Sequence, residues 1–299
     1  MLSYMFWGVL FMLIVFSKIV SFIYNKIIST YFIINDVISY DIYIKAIQTV
    51  SKDNYFMNYG LWNKETDTLK DANRNLVDFI FEKSGSSGNI LDVGCGYGEQ
   101  DIIWSSNLTD GKITAIDISK PQIFFANKRR EEEKIPDSKL EFKVGDAMNL
   151  SELFSNESFD KVISLESAFH YKNRSHFFKE VHNVLKKDGI FIIADISIDD
   201  NYRKNTISEL FIKLFSDFLQ MPTENIINSS AWKNDIKDSG FSIVETYDIT
   251  NNTFLPYYKH FFEIYIKELG LPSIISKMLN NIFKVSQPFS YNILVCRPT

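Results

Sequence analysis

Cysteine is scarce. The 299-residue chain holds two, Cys95 and Cys296, too few for a disulfide framework and wrongly spaced for a zinc site. That usage fits a reducing compartment. No metal-ligand spacing stands out among the four histidines and the carboxylates. No long basic stripe is present and the net charge is −5, so nucleic acid is not an expected partner. Repeats and long linkers are missing too, which leaves room for one large domain. A cleaved signal peptide would show a basic start and a small-residue cleavage site. Neither is visible, and residues 1–16 carry no charged side chain at all.

What is there reads as globular: 45% apolar and 23% charged residues. Residues 2–24 are apolar with one lysine, Lys18, and about 20 such residues suffice to cross a bilayer. A transmembrane or membrane-associated helix is therefore expected over residues 1–25, the alternative being a helix packed on the domain. Lys18 and Lys26 follow it, which would keep the rest of the chain cytoplasmic. Residues 26–53, with Asp36, Asp41 and Lys45, form an amphipathic connecting segment. The domain is expected over 54–299. Several Asn-x-Ser/Thr sites, among them Asn173 and Asn228, are the chance product of an Asn-rich chain.

Inside the domain, Ile90-Leu91-Asp92-Val93-Gly94-Cys95-Gly96-Tyr97-Gly98 is an apolar run that meets an acid and turns through three alternate glycines. It reads as a buried strand entering a tight turn that approaches a ligand with its backbone. A dinucleotide-binding turn wants its last glycine one place later, where this chain has Glu99. NAD and FAD are disfavoured. Short apolar runs at 113–117, 140–144, 159–165 and 190–195 alternate with helical patterns at 99–108, 121–133 and 176–185. That rhythm predicts a parallel sheet with helices on both faces. Helices at 68–83, 207–219, 232–239 and 256–269 and strands at 241–249 and 291–296 complete the reading, with a helical cap at about 200–230.

Ligands of such sheets bind at the carboxyl ends of the strands. Asp117 ends the second strand, 19 residues after Gly98, where a carboxylate can accept both hydroxyls of a ribose. Asp146 follows the third and can accept from an adenine amine. Single acids of this kind are usually caps; three at successive strand ends beside a glycine turn are not. Asp195, Asp199 and Asp200 are read as caps and solvated loop residues.

These motifs, with Gly145-Asp146-Ala147 and Leu185-Lys186-Lys187-Asp188-Gly189, resemble in order those of class I S-adenosylmethionine-dependent methyltransferases. The resemblance spans about residues 54–250 and implies a Rossmann-like, seven-stranded, mostly parallel α/β sheet. It implies that Asp92 and the backbone of Gly94, Gly96 and Gly98 hold the methionine portion. Asp117 with Ile118 would hold the ribose, and Asp146 with Ala147 the adenine; Tyr59 and Leu165 complete the pocket. The family usually has Pro-Gly-Gly where this chain has Lys187-Asp188-Gly189.

Asn58-Tyr59-Gly60-Leu61-Trp62 and Leu165-Glu166-Ser167-Ala168-Phe169-His170-Tyr171 resemble more closely the subgroup acting on small natural products and lipids. It includes macrolide-sugar and rebeccamycin-type O-methyltransferases and phenolic-lipid methyltransferases. That likeness makes Phe56 and Tyr59 candidates for a lid, and Glu166 and His170 candidate catalytic residues facing the acceptor. A histidine of pKa near ~6.5 suits removal of a hydroxyl proton; the other reading of His170 is a loop or cofactor hydrogen bond. His260 in the late helix is a further pocket candidate. The expected function is methyl transfer to a small, lipophilic acceptor, O-methylation favoured. The alternatives are C-methylation of a sterol, quinone or lipid, and a membrane-tethered cofactor-binding protein without catalysis.

Overall fold

The structure is a computed structural model that describes residues 54–299 apart from 203–208, 210, 211, 214, 218, 269, 271 and 287. The expected N-terminal helix and connector therefore lie outside the described residues. Among those described, no helix is long and apolar enough to cross a membrane.

The first helix, α1 (Leu69–Ser84), starts where Thr68 accepts the backbone N–H of Asp71 and ends at Gly85, with φ +77. It buries Leu69, Ala72, Leu76, Val77 and Ile80, a stripe of helical period. Then follow β1 (Ile90–Val93), α2 (Glu99–Asn107), β2 (Ile113–Asp117), α3 (Lys120–Glu132) and β3 (Leu140–Val144). After a short α4 (Leu150–Leu153) come β4 (Phe159–Leu165), α5 (Arg174–Val184) and β5 (Leu185–Ile198). The chain closes with α6 (Ser229–Asp238), β6 (Phe241–Asp248), α7 (Thr250–Glu268), α8 (Ser273–Ser286) and β7 (Phe289–Pro298).

The seven strands lie in the order β3-β2-β1-β4-β5-β7-β6. Every pairing from β3 through β5 is parallel, and β7 runs antiparallel to both its neighbours. Successive strand residues serve opposite faces. On one face Ile90, Ile113 and Ile192 pack with Leu76 of α1, Trp104 of α2, Ala126 of α3 and Phe254 of α7. On the other Leu91, Val162 and Ile193 pack with Phe177 and Phe178 of α5 and Trp232 of α6. Asn173 and Asn228 cap α5 and α6 through their side chains.

The order reverses between β1 and β4, and there the carboxyl ends of the parallel strands open a crevice. Two departures from expectation have physical reasons. β5 begins at Leu185 because the 186–189 segment bulges within the strand: Phe159 pairs Leu185, and Lys161 already pairs Ile190. Ser273–Ser286 is a helix without a sequence expectation, and α7 starts at Thr250 with Pro256 inside it.

Candidate cofactor and acceptor site

The glycine turn leaves β1 and enters α2 through Gly98 at φ +72, with no side-chain cap on the helix. The first-turn N–H groups therefore face the crevice. Two glycines show why the turn needs them. A Cβ at Gly94, φ +84, would overlap the side chain of Ser167; one at Gly96, φ +57, would stand 2.9 Å from Met57 Sδ. The first glycine lets the turn dock on the loop after β4. The second makes room for the Met57 side chain.

Beneath the turn Asp92 is fully buried, its Oδ2 accepting from Gln100 Nε2 at 3.0 Å. Asp101, also fully buried, lies against it. Burial raises both carboxyls above their ordinary range; the charge of Asp92 raises Asp101 further, whereas hydrogen bonds from Gln100 and Asp101 pull Asp92 back down. Asp92 thus supports the turn from below, with no side-chain surface on the crevice.

Asp117 stands at the rim. Its Oδ2 accepts the Gly96 N–H at 3.0 Å and its Oδ1 the Ser119 N–H at 2.9 Å, so it locks the turn to β2; burial raises its pKa. Next to it Ile118 is an apolar side chain left 69% exposed by the described residues. One strand along, Asp146 accepts the Met148 N–H through Oδ1 at 2.9 Å, and Ala147 and Leu165 are buried.

Residues 54–62 cross this edge as a strap. Asn54 and Asn58 bond Asn73, Leu61 N–H donates to Ala72 O and Trp62 N–H to Asn252 O. Phe56, Tyr59 and Trp62 are buried in the core, so both lid candidates point inward among the described residues. The residue over the glycine turn is Met57, whose sulfur also accepts from Gln122 Nε2 at 3.6 Å.

Beyond β4, Glu166 sits at φ +50. Its Oε1 accepts the Tyr59 N–H at 2.8 Å and the Tyr291 hydroxyl at 2.7 Å. Burial pushes this carboxyl up to about 8 against the pull of those two bonds. His170 packs its ring on Phe169, centroids 3.9 Å apart, and bonds the backbone of Gln220 in the cap segment. Its Nδ1 is buried, and burial takes the group down to about 4, not the ordinary value expected from sequence. The same turn is held from below: Arg174 donates to Ala168 O, Ile196 O and the buried Asp195. Asn225 gives its amide to Phe169 O and Tyr171 O at 2.9 and 2.7 Å. Asp195 is thus a buried ion-pair partner, not a solvated loop acid, whereas Asp199 and Asp200 do cap neighbouring backbone. His260 stands 5.2 Å from Trp62, half-buried on α7. Among the described residues no cluster of three metal-ligating side chains exists.

Arg174, Asp101, Asn225, Met57 and Tyr291 had no motif to announce them. Each meets the site only through the tertiary fold.

A family model described as a methyltransferase domain matches residues 84–246. The chain belongs to this methyltransferase family. It is 31% identical over 225 residues to erythromycin 3''-O-methyltransferase of Saccharopolyspora erythraea, covering 74% of this chain and 72% of that one. The fold is shared with geranyl diphosphate C-methyltransferase from Streptomyces coelicolor A3(2) in complex with S-adenosyl-L-homocysteine (TM-score 0.66, 16% identity, 86% of this chain and 97% of that one). It is shared also with the [4+2]-cyclase SpnF (TM-score 0.67, 20% identity, 87% and 93%). The methyltransferase uses S-adenosylmethionine, as the class I resemblance implies, and acts on a small molecule. The residues present fit that donor: a positive-φ glycine at Gly96, a rim carboxylate at Asp117 bonded to it and an exposed apolar side chain at Ile118 lie together.

Proposed function

We propose that this enzyme methylates a hydroxyl of an uncharged, lipophilic small molecule, and that Glu166 receives the hydroxyl proton. Asp117 and Ile118 would hold the ribose and Asp146 and Ala147 the adenine. The turn backbone, backed by Asp92, would hold the methionine portion, with Tyr59 and Leu165 closing the pocket. S-Adenosylmethionine supplies an electrophilic methyl on a cationic sulfur. With that donor bound, Glu166 would take the acceptor hydroxyl's proton as the oxygen takes the methyl and the carbon–sulfur electron pair stays on sulfur. The protein's main task is alignment.

The observation carrying this reading is the Glu166 carboxyl. Both of its hydrogen bonds fall on Oε1, which leaves Oε2 to take a proton from outside the network. A group near about 8 is a serviceable base at working pH. His170, with Nδ1 buried and its ring tied to the cap, is assigned the shaping of the turn. The erythromycin relative, an O-methyltransferase by name, supports oxygen as the target; the geranyl diphosphate neighbour keeps carbon as the second reading. The apolar residues 2–24 support attachment to a membrane with the catalytic domain on the cytoplasmic side.

The test is incubation of the protein and methyl-labelled S-adenosylmethionine with fractionated metabolite and lipid extracts. The expected product is an extractable neutral molecule bearing a new methyl ether. A new carbon-bound methyl would replace the oxygen assignment.

A further inference from the structure

Tyr291 lies near the start of β7, 125 positions after Glu166, and is fully buried. β7 is the one antiparallel strand between β5 and β6, and its pairing sets Tyr291 opposite Ile196 of β5. The backbone there is further held by the Thr250 hydroxyl, which accepts the Tyr291 N–H at 2.9 Å. The ring packs against Phe254 at 6.0 Å. Among the described residues its hydroxyl makes one hydrogen bond, donating to Glu166 Oε1 at 2.7 Å.

A phenol in that place does two things to a carboxyl. It fixes the rotamer, because Oε1 is taken by Tyr291 from the sheet and by the Tyr59 N–H from the strap. It also favours the ionised form, because a donor bonds a carboxylate more strongly than a carboxylic acid. The Tyr59 N–H pulls the same way, and burial and Asp195 pull the opposite way. Asp195 on β5 adds repulsion, though Arg174 carries most of its charge, and Tyr257 and Tyr258 of α7 stand behind Tyr59.

We propose that Tyr291 is the positioning residue of the proton acceptor: it aims Glu166 Oε2 at the acceptor hydroxyl and keeps Glu166 ionisable within the working pH range. This rests on the assignment of Glu166 as the base. Tyr291 touches neither donor nor acceptor and acts through Glu166 alone.

The experiment uses full-length protein carrying 13C-labelled glutamate, with the Glu166 Cδ resonance assigned by its loss in Glu166→Gln. In Tyr291→Phe, which removes a single hydroxyl, the Glu166 titration midpoint is expected to rise by about one pH unit, the worth of one hydrogen bond to a charged group. The pH–rate profile, read with whichever extract fraction takes the label, should shift upward equally, with turnover at neutral pH down about tenfold. Its KM for S-adenosylmethionine should hold within about twofold. An unchanged or lowered midpoint in Tyr291→Phe would overturn the role of Tyr291. Full turnover in Glu166→Gln would instead overturn the base assignment beneath it, so the two failures are told apart.

Discussion

Glu166 and His170 share one turn but sit in opposite protonation regimes. A base must be ionised or neutral enough to accept a proton. With Glu166 near about 8 and His170 near about 4, the two leave different traces on turnover. If Glu166 is the base, the rate rises with pH through about 8 and then levels; a His170 base, already neutral above about pH 5, would give a flat profile over the same range. Stability carries the complementary sign. A carboxyl whose folded pKa lies above its ordinary 4.5 binds its proton more tightly when folded. Its contribution is complete below that ordinary value and is lost as pH rises through about 8. Urea midpoints of wild type and Glu166→Gln should therefore converge as pH rises toward 8 or separate in favour of the variant; a wild type growing more stable than Glu166→Gln over that window contradicts the assignment. Why did sequence reading favour His170? An unperturbed histidine near ~6.5 is the usual base, and nothing local says that Phe169 and the cap will bury it.

At the scale of elements, the β4–α5 turn is clamped rather than free. Arg174 and Asp195, both almost fully buried, bind each other at 3.1 Å, and the same guanidinium holds Ala168 O and Ile196 O. It also lies over the Trp232 ring at 5.6 Å. Removing one partner leaves the other charged and buried, so Arg174→Ala should lower unfolding free energy by about 3–5 kcal/mol in urea titrations. A loss within about 1 kcal/mol would mean that Asp195 is neutral or finds other donors. The turn's geometry was not legible in advance: Asp195 ends an apolar run just as Asp117 does, and only the packing of α5 and α6 makes one an ion-pair partner and the other a rim carboxylate. By contrast, β2, β3 and β4 were legible to the residue, because β2 and β4 are short, nearly continuous buried runs and β3 alternates Leu140 and Phe142 with Glu141 and Lys143, each bounded by turn residues. The 186–189 bulge was not, since Lys-Lys-Asp-Gly looks like a turn whether or not it stays paired.

For the whole molecule, the order of strands and the reversal between β1 and β4 follow from parallel strands joined by helical crossovers. That made the crevice at the carboxyl ends, the proposed cofactor edge, readable from Gly94, Gly96, Asp117 and Asp146. The proposed acceptor side was less readable, since it would draw on the strap, the cap, α7 and β7, which lie far apart in sequence. The proposed membrane attachment belongs to this scale as well. Deleting residues 1–25 is expected to move the protein from the membrane pellet to the supernatant on fractionation. A truncated protein that still sediments would shift the attachment to residues 26–53. The account of the methyl donor is reached most directly by calorimetric titration of S-adenosylmethionine into wild type and Asp117→Ala. Losing a carboxylate that would bond two hydroxyls should weaken binding by about 2–4 kcal/mol, at least ~30-fold, with the variant still folded. Unchanged affinity in Asp117→Ala would contradict the placement of the donor at this edge.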